Sequence, residues 1–267
     1  MPNSGKLRLL YVISLPHSGS TILAHHLSLL HPLVNLGEAG YAVERLSTSR
    51  SAALPCACGR SVEECEFWSR MRDGLPRCIG PSSEDAYARL IPEFRSVFGN
   101  QAILVDTNKT SEPLRYLSSR PDCEVFVVHL IRDVRGACVS EALRKKLKHP
   151  ARAEWFTATQ AAFQWIRKNH AIASMLHGLP LAGCRRIGYE ALCQRPQAVL
   201  ENLGAWIGAS PKPGWQENHA LIGNQLKFSG GDRGIVYDAR WQSSRAFYPA
   251  FLLFPFLPWL NHRWVYS

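Results

Sequence analysis

The sequence predicts one α/β domain, a central and mostly parallel sheet with helices on both faces. Three observations predict it. Strand-like runs alternate with helical patterns along the chain, as βαβ units require. The runs are nearly continuous in apolar residues, the mark of strands buried on both faces. The 267 residues, 46% of them hydrophobic, suffice for one large core and exclude a disordered chain.

Taken in order, LRLLYVISL (7–15) reads as the first buried strand, and PHSGS (16–20) as the loop after it. STILAHHLSLLHP continues as a helix that Pro32 stops. Residues 50–81 differ in composition, with Cys56, Cys58, Cys65, Gly59 and three prolines, and read as an irregular insertion. A helix over 83–98 leads to the strand QAILVD (101–106), and a short helix over 111–119 to CEVFVVHLI (123–131), the most strand-like run of the chain. Helices follow over 133–147 and 153–177. In the second, Trp155, Thr159, Ala162, Phe163, Ile166, Ala173 and Leu176 fall on one face. LAGCRRIGY (181–189) is the last strand and 190–207 the helix after it. Neither the Cys-rich insertion nor the Gly/Pro-rich stretch 208–214 resembles a linker, so residues 1–267 form one domain carrying an insertion at about 50–81 and a C-terminal segment at about 210–267.

FYPAFLLFPFLPWL (247–260) is apolar but short, and Pro249, Pro255 and Pro258 break it, so it reads as a buried or interfacial segment rather than a membrane span. The first apolar run is too short to serve as a signal sequence. Eight cysteines without such a signal point to a reducing, cytoplasmic setting with mostly free thiols. The net charge of +10 is uneven: residues 1–130 carry thirteen basic and thirteen acidic side chains, and residues 131–267 eighteen and eight. The second half is therefore expected to meet an anion.

Strand, SLPHSGST (14–21), helix is the layout of a P-loop-like fold. Against G-x-x-x-x-G-K-[ST], Gly19 and Thr21 fit, whereas Ser14 replaces the first glycine and Ser20 the lysine. Backbone N–H groups from Ser18 to Thr21, with the hydroxyls of Ser18, Ser20 and Thr21, can still converge on an oxyanion at a helix start. The missing lysine and the lack of a convincing metal-binding acid argue against Mg-ATP hydrolysis. Further on, VVHLIRDVRGACVS (127–140) places Arg132 at a strand end and Ser140 two helical turns later, so that a guanidinium and a hydroxyl can share one phosphate.

With these two motifs the sequence resembles the sulfotransferases that use 3′-phosphoadenylyl sulfate (PAPS). That family pairs a loop x-x-[KR]-S-G-[ST]-[ST] with a later R-[DN]-x-[RK]-x-x-x-x-S. VDTNK (105–109), LGE (36–38), IGYEALCQRPQAVLENLGAWIG (187–208) and ALPCACGRSVEECEFW (53–68) are similar to further family elements, so the likeness spans roughly residues 8–208. It implies that His17, Ser18, Gly19, Ser20 and Thr21 hold the 5′-phosphosulfate and that Arg132 and Ser140 hold the 3′-phosphate. Tyr189 matches the family's tyrosine near adenine, Trp68 is a candidate to stack on the base, and Lys227 and Arg233 resemble the family's second 3′-phosphate clamp. His17 stands where the family carries lysine or arginine; beside a phosphosulfate its pKa is expected to rise, making it a conditional cation.

Transfer of a sulfuryl group needs a base for the acceptor's proton and cations for the leaving oxygen. Glu38 is the expected base, with His17 the alternative, and Lys109 is expected to bridge the leaving phosphate and the sulfuryl oxygens. Asp106 could orient Lys109, and His129 reads as a hydrogen-bonded core residue. The function expected is sulfuryl transfer from PAPS to a hydroxyl or amine of a small-molecule or sugar acceptor, releasing the 3′,5′-bisphosphate PAP, with no metal, no nucleic acid and no membrane insertion. The acceptor side is assigned to residues 40–80 and 210–267, with Trp215, Phe228, Tyr237, Trp241 and Phe247 as its aromatics. A P-loop-derived kinase and a basic nucleic-acid-binding protein are the rival readings. Cys56, Cys58 and Cys65 form C-x-C-x6-C without a second knuckle, which favours a packed thiol cluster or a disulfide over zinc. RKKLK (144–148) reads as a solvated helix end.

Overall fold

A computed structural model describes residues 5–48, 54–73, 82–148, 151, 153–221 and 234–267. Its elements run in chain order β1 (Leu7–Ser14), α1 (Ser20–Leu27), β2 (Leu30–His31), β3 (Leu33–Gly37), α2 (Ala39–Thr48), α3 (Glu66–Asp73), α4 (Ser83–Phe98), β4 (Ile103–Asp106) and α5 (Ser111–Ser119). They continue with β5 (Cys123–Ile131), α6 (Val134–Lys148), α7 (Glu154–His177), β6 (Gly183–Gly188), α8 (Tyr189–Gln194), α9 (Pro196–Ile207), β7 (Ser210–Pro211), α10 (Tyr248–Leu253) and α11 (Leu257–Val265).

Five strands form one sheet in the order β3-β4-β1-β5-β6, and every pairing is parallel. The alternation of β1 explains why it must lie between two layers. Leu7, Leu9, Tyr11 and Ile13 enter the core beneath α2, α3 and α4, whereas Leu10 and Val12 enter the core beneath α1, α8 and α9. A third cluster, built on Val134, Cys138, Trp165, Phe247 and Leu257, binds α6 and α7 to the C-terminal helices. Because all five strands run the same way, the loops after β1, β3, β4, β5 and β6 leave the sheet at one edge. In open α/β sheets that carboxyl edge is where ligands bind.

Several predicted elements shift. The helix expected up to Pro32 ends at Leu27, where Ser28 Oγ donates back to the His25 carbonyl at 2.6 Å; Leu30 and His31 then pair with Ser210 and Pro211. The single helix over 190–207 is two, because Pro196 forces Arg195 out of the helical region (φ −137°, ψ 56°) and then starts α9. The Cys-rich insertion is not wholly irregular, since it contains α3. α7 is also rotated from its predicted face. Trp165 and Ala162 point inward, but Trp155 and Phe163 are more than half exposed. The Trp165 indole donates to the Arg132 carbonyl at 2.8 Å, which ties the inward face of α7 to the β5 exit. The segment 247–260 forms α10 and α11, with prolines in the first turn of each. No helix among the described residues is long and apolar enough to cross a membrane.

Candidate active site

At the carboxyl edge of the sheet lies a cavity of about 1010 Å³. Each of the five strands delivers residues to it. The β1 exit gives His17, Gly19, Ser20 and Thr21, and the β3 exit gives Glu38. Lys109 follows β4, Arg132 follows β5 with Ser140 on α6, and Tyr189 follows β6.

The loop after β1 is held tightly. Gly19 has φ 89°, and a Cβ there would come within 2.5 Å of the Tyr189 ring, so both its backbone and its missing side chain are required. His17 has φ 64°, a left-handed conformation that a non-glycine residue adopts at a cost. Partial burial holds its imidazole below the ordinary value, against the opposing pull of Glu141. Arg144, Lys109 and Arg132 add to the burial in disfavouring its charge, so the charge expected beside a phosphosulfate would have to come from that anion. Ser18 departs from its expected place. Its N–H closes a turn on the Leu15 carbonyl at 3.3 Å, it is only 4% exposed, and it does not line the cavity. Of the loop's phosphate-binding candidates after His17, Gly19, Ser20 and Thr21 line the cavity, at a helix start whose first N–H groups lack intrahelical acceptors.

Glu38 and Lys109 come together because β3 and β4 are neighbours. Thr107 N–H donates to the Gly37 carbonyl at 2.7 Å, clamping the two exits, and Lys109 Nζ donates to Glu38 Oε1 at 2.5 Å. Buried Asp106 shapes the turn between them, accepting from the Asn108 N–H at 2.8 Å and from the Tyr87 hydroxyl. Burial pushes its carboxyl up to about 6. It lies beneath Lys109 and does not line the cavity. Two residues before the end of β5, His129 is a core histidine bonded to Asn169 at 3.1 Å, lowered to about 4 by burial.

Arg132 is 5% exposed and spoken for on several sides. It donates to the His17 carbonyl at 2.9 Å, to Ser140 Oγ at 3.2 Å and to Asp238 Oδ2 at 2.8 Å, and its guanidinium lies 4.9 Å from the Tyr189 ring centroid. A Cβ at Gly136 would sit 2.9 Å from Arg132 Nε, so this glycine makes room for the side chain. Asp133 pairs with Arg135, not with Arg132. Burial would raise its carboxyl, but hydrogen bonds from Arg135, Asn261 and Tyr266 outweigh that and hold it low. Both Glu190 carboxylate oxygens accept from the Asp133 N–H at 3.1 Å, which ties the β5 exit to the β6 exit.

Other expected site residues lie elsewhere. Trp68 is fully buried among Phe67 and the helices beneath the sheet, with its indole donating to the His219 carbonyl at 2.5 Å, so it cannot stack on a base. Trp215 packs on His31, and Phe247 is core; neither they nor Tyr237 and Trp241 line the cavity. Lys227, Arg233 and Phe228 fall outside the described residues. The run 144–148 ends α6 with Lys146 and Leu147 exposed, and Arg144 within it also reaches the cavity wall, paired with Glu141 at 2.6 Å. Tyr189 lines the cavity, although its ring mainly floors the Gly19 turn and its hydroxyl donates to the Val236 carbonyl at 3.1 Å. Sequence reasoning missed Asp238 and Arg240, joined at 2.6 Å on the cavity rim; their only sequence signal was the short stretch DARW (238–241).

Neither a protein-family model nor a curated protein matches the sequence. Among solved structures, a sulfotransferase domain from the curacin biosynthetic pathway aligns at 18% identity with a TM-score of 0.48, over 86% of this chain and 82% of that one. A sulfotransferase from Alicyclobacillus acidocaldarius aligns at 12% identity and a TM-score of 0.43, over 98% and 96%. One from Mycobacterium avium gives 14% and 0.43, over 93% and 76%. Each of these three solved structures is a sulfotransferase.

Proposed function

We propose that the protein transfers a sulfuryl group from PAPS to a hydroxyl or amine of a small-molecule or sugar acceptor and releases PAP. The observation that carries this reading is the meeting, in one cavity, of the Gly19–Thr21 helix start, the Arg132–Ser140 pair and the Glu38–Lys109 pair. Four cationic side chains line that cavity, Lys109, Arg132, Arg144 and Arg240, against the two carboxylates of Glu38 and Asp238. Such a wall suits a ligand with several phosphate charges. Leu143, Leu147 and Val236 supply apolar surface beside it for a nucleobase.

In this reading the acceptor oxygen or nitrogen attacks sulfur in line with the bond to the 5′-phosphate. That S–O bond breaks as the new one forms, the acceptor's proton passes to Glu38, and the electron pair stays on the departing phosphate. Lys109 and the helix-start N–H groups neutralise the charge growing there. Arg132 and Ser140 hold the 3′-phosphate, which fixes the far end of the donor and aims its sulfur.

The test is a screen of hydroxyl and amine acceptors with sulfur-labelled PAPS, paired with calorimetry of PAP against ATP with magnesium. Labelled product and PAP binding without an ATP preference are expected. Binding of ATP with magnesium in preference to PAP would replace this reading with a phosphoryl transferase.

A further inference from the structure

Outside the cavity, the Cys-rich insertion meets a residue that the C-x-C-x6-C spacing does not reveal. Cys56, Cys58, Cys65 and His219 bring one ligand atom each to within 4.8 Å of one another. His219 Nδ1 is 3.3 Å from Cys65 Sγ. A tetrahedral zinc ion with zinc–sulfur bonds of about 2.3 Å places its ligand atoms roughly 3.5–3.8 Å apart, so the four atoms are already near the spacing of a closed site.

The surroundings fit as well. His219 Nε2 lies 2.7 Å from Glu217 Oε2, the carboxylate–imidazole arrangement that leaves Nδ1 as the ligating atom. The cysteine turn is bound to the histidine segment by the Ala57 N–H, which donates to the Ala220 carbonyl at 3.0 Å, and is closed on itself by the Cys56 N–H, which donates to the Arg60 carbonyl at 2.8 Å. Cys56, Cys65 and His219 are buried, with Cys58 at the outer side.

We propose that Cys56, Cys58, Cys65 and His219 bind one zinc ion in a structural Cys3His site. Three thiolate ligands and one imidazole select zinc over hard cations, and four protein ligands leave no open position for chemistry. On binding, three thiol protons leave to solvent while the proton on His219 Nε2 stays shared with Glu217.

The site joins parts of the chain more than 150 residues apart. Residues 217–219 run beside β3, where Asn35 N–H donates to the Glu217 carbonyl at 2.8 Å and His219 N–H to the Asn35 carbonyl at 2.7 Å. Asn35 Oδ1 in turn accepts from the Gly37 N–H at 2.9 Å, one residue before Glu38. The metal would thus clip the insertion to the strand that presents Glu38.

The test is elemental analysis of the full chain purified without chelator, with a count of free thiols in denaturant and titration of metal-free protein with cobalt(II). One zinc per chain, all eight thiols reduced, and the visible bands of tetrahedral thiolate-bound cobalt are expected. Glu217→Gln touches no metal ligand position and should weaken zinc 10–100-fold in chelator competition while the circular dichroism stays native. His219→Cys should keep the metal, His219→Ala should lose it, and Cys184→Ser should leave it unchanged. A disulfide among Cys56, Cys58 and Cys65, or reduced thiols that take up neither zinc nor cobalt, overturns the proposal. Should the His219 variants fail to fold, the cobalt spectrum and the Glu217→Gln competition still decide it.

Discussion

The Lys109 ammonium lies 2.5 Å from a carboxylate oxygen of Glu38, so the two groups expected to handle the proton and the leaving charge begin as one ion pair. For Glu38 to accept a proton, the ammonium must turn to another anion, and an arriving phosphosulfate is one. Donor binding would then free the base it needs. Glu38→Gln keeps the side chain's size but not its basicity, and should lower kcat by roughly 10²–10⁴-fold while PAP affinity stays near wild type. His17→Ala should weaken nucleotide binding instead. A near-normal kcat for Glu38→Gln, with a collapsed kcat and intact PAP binding for His17→Ala, would move the base to His17.

Arg132 already holds one anion, the Asp238 carboxylate at 2.8 Å. A 3′-phosphate must share or displace it. Arg132→Ala should cost about 1.5–3 kcal/mol of PAP binding, the value of a charge-assisted contact, whereas Asp238→Asn should tighten PAP severalfold by removing a like charge. Calorimetry at fixed salt reads both. Unchanged affinity in Arg132→Ala would remove this motif from the donor site.

How far the site was legible follows from what a sequence can encode. Arg132 and Ser140 were readable because a strand end and the first two turns of the helix that follows it at once fix their separation, and Gly19–Thr21 because a strand, a glycine and a helix start are local. The parallel sheet was readable from apolar runs such as 123–131. Trp68 was misplaced because an aromatic side chain next to a motif looks the same in a core and in a pocket. Asp238 and His219 were missed for a different reason. Their partners, Arg132 and Cys65, lie more than a hundred residues away, and no local spacing marks a long-range contact. The split at Arg195 was legible in Pro196 and was passed over.

Gly136 separates making room from making contact. It binds nothing, yet a Cβ there would stand 2.9 Å from Arg132 Nε. Gly136→Ala, on a helix where alanine is otherwise favoured, should leave melting near wild type or slightly lower and still reduce PAP affinity by about tenfold, a value near 1.4 kcal/mol. Normal PAP affinity in a folded Gly136→Ala protein would mean that the guanidinium position is not what the donor reads.

Turnover should need no added divalent cation, since Lys109, Arg132 and the helix start supply the positive charge. Brief EDTA treatment should leave the initial rate intact. Prolonged treatment with a strong zinc chelator should lower thermal stability and then activity together, and zinc, not magnesium, should restore both. Immediate loss of turnover in EDTA with rescue by magnesium would speak for phosphoryl transfer.

The pH dependence of stability should carry the mark of Glu190. It is 1% exposed, and burial, followed by the nearby Asp133 charge, pushes its carboxyl from 4.5 up to about 7. Between those values the folded chain keeps a proton on Glu190 that the unfolded chain has lost. Stability from this group is therefore present at low pH and falls as pH rises from about 4.5 through 7. Buried His129, lowered to about 4, acts in the opposite sense between 4 and 6.5, and buried Asp106, raised to about 6, acts in the same sense as Glu190 below 6, so the wild-type profile mixes several groups. The Glu190→Gln variant isolates the first. Its amide oxygen can still accept from the Asp133 N–H, but it has no proton to lose. The melting temperature of Glu190→Gln relative to wild type should rise steadily from pH 4.5 to about 8 and level off above. A pH-independent difference between the two would mean that Glu190 titrates alike in the folded and unfolded chains, and that the link between the β5 and β6 exits does not depend on its charge.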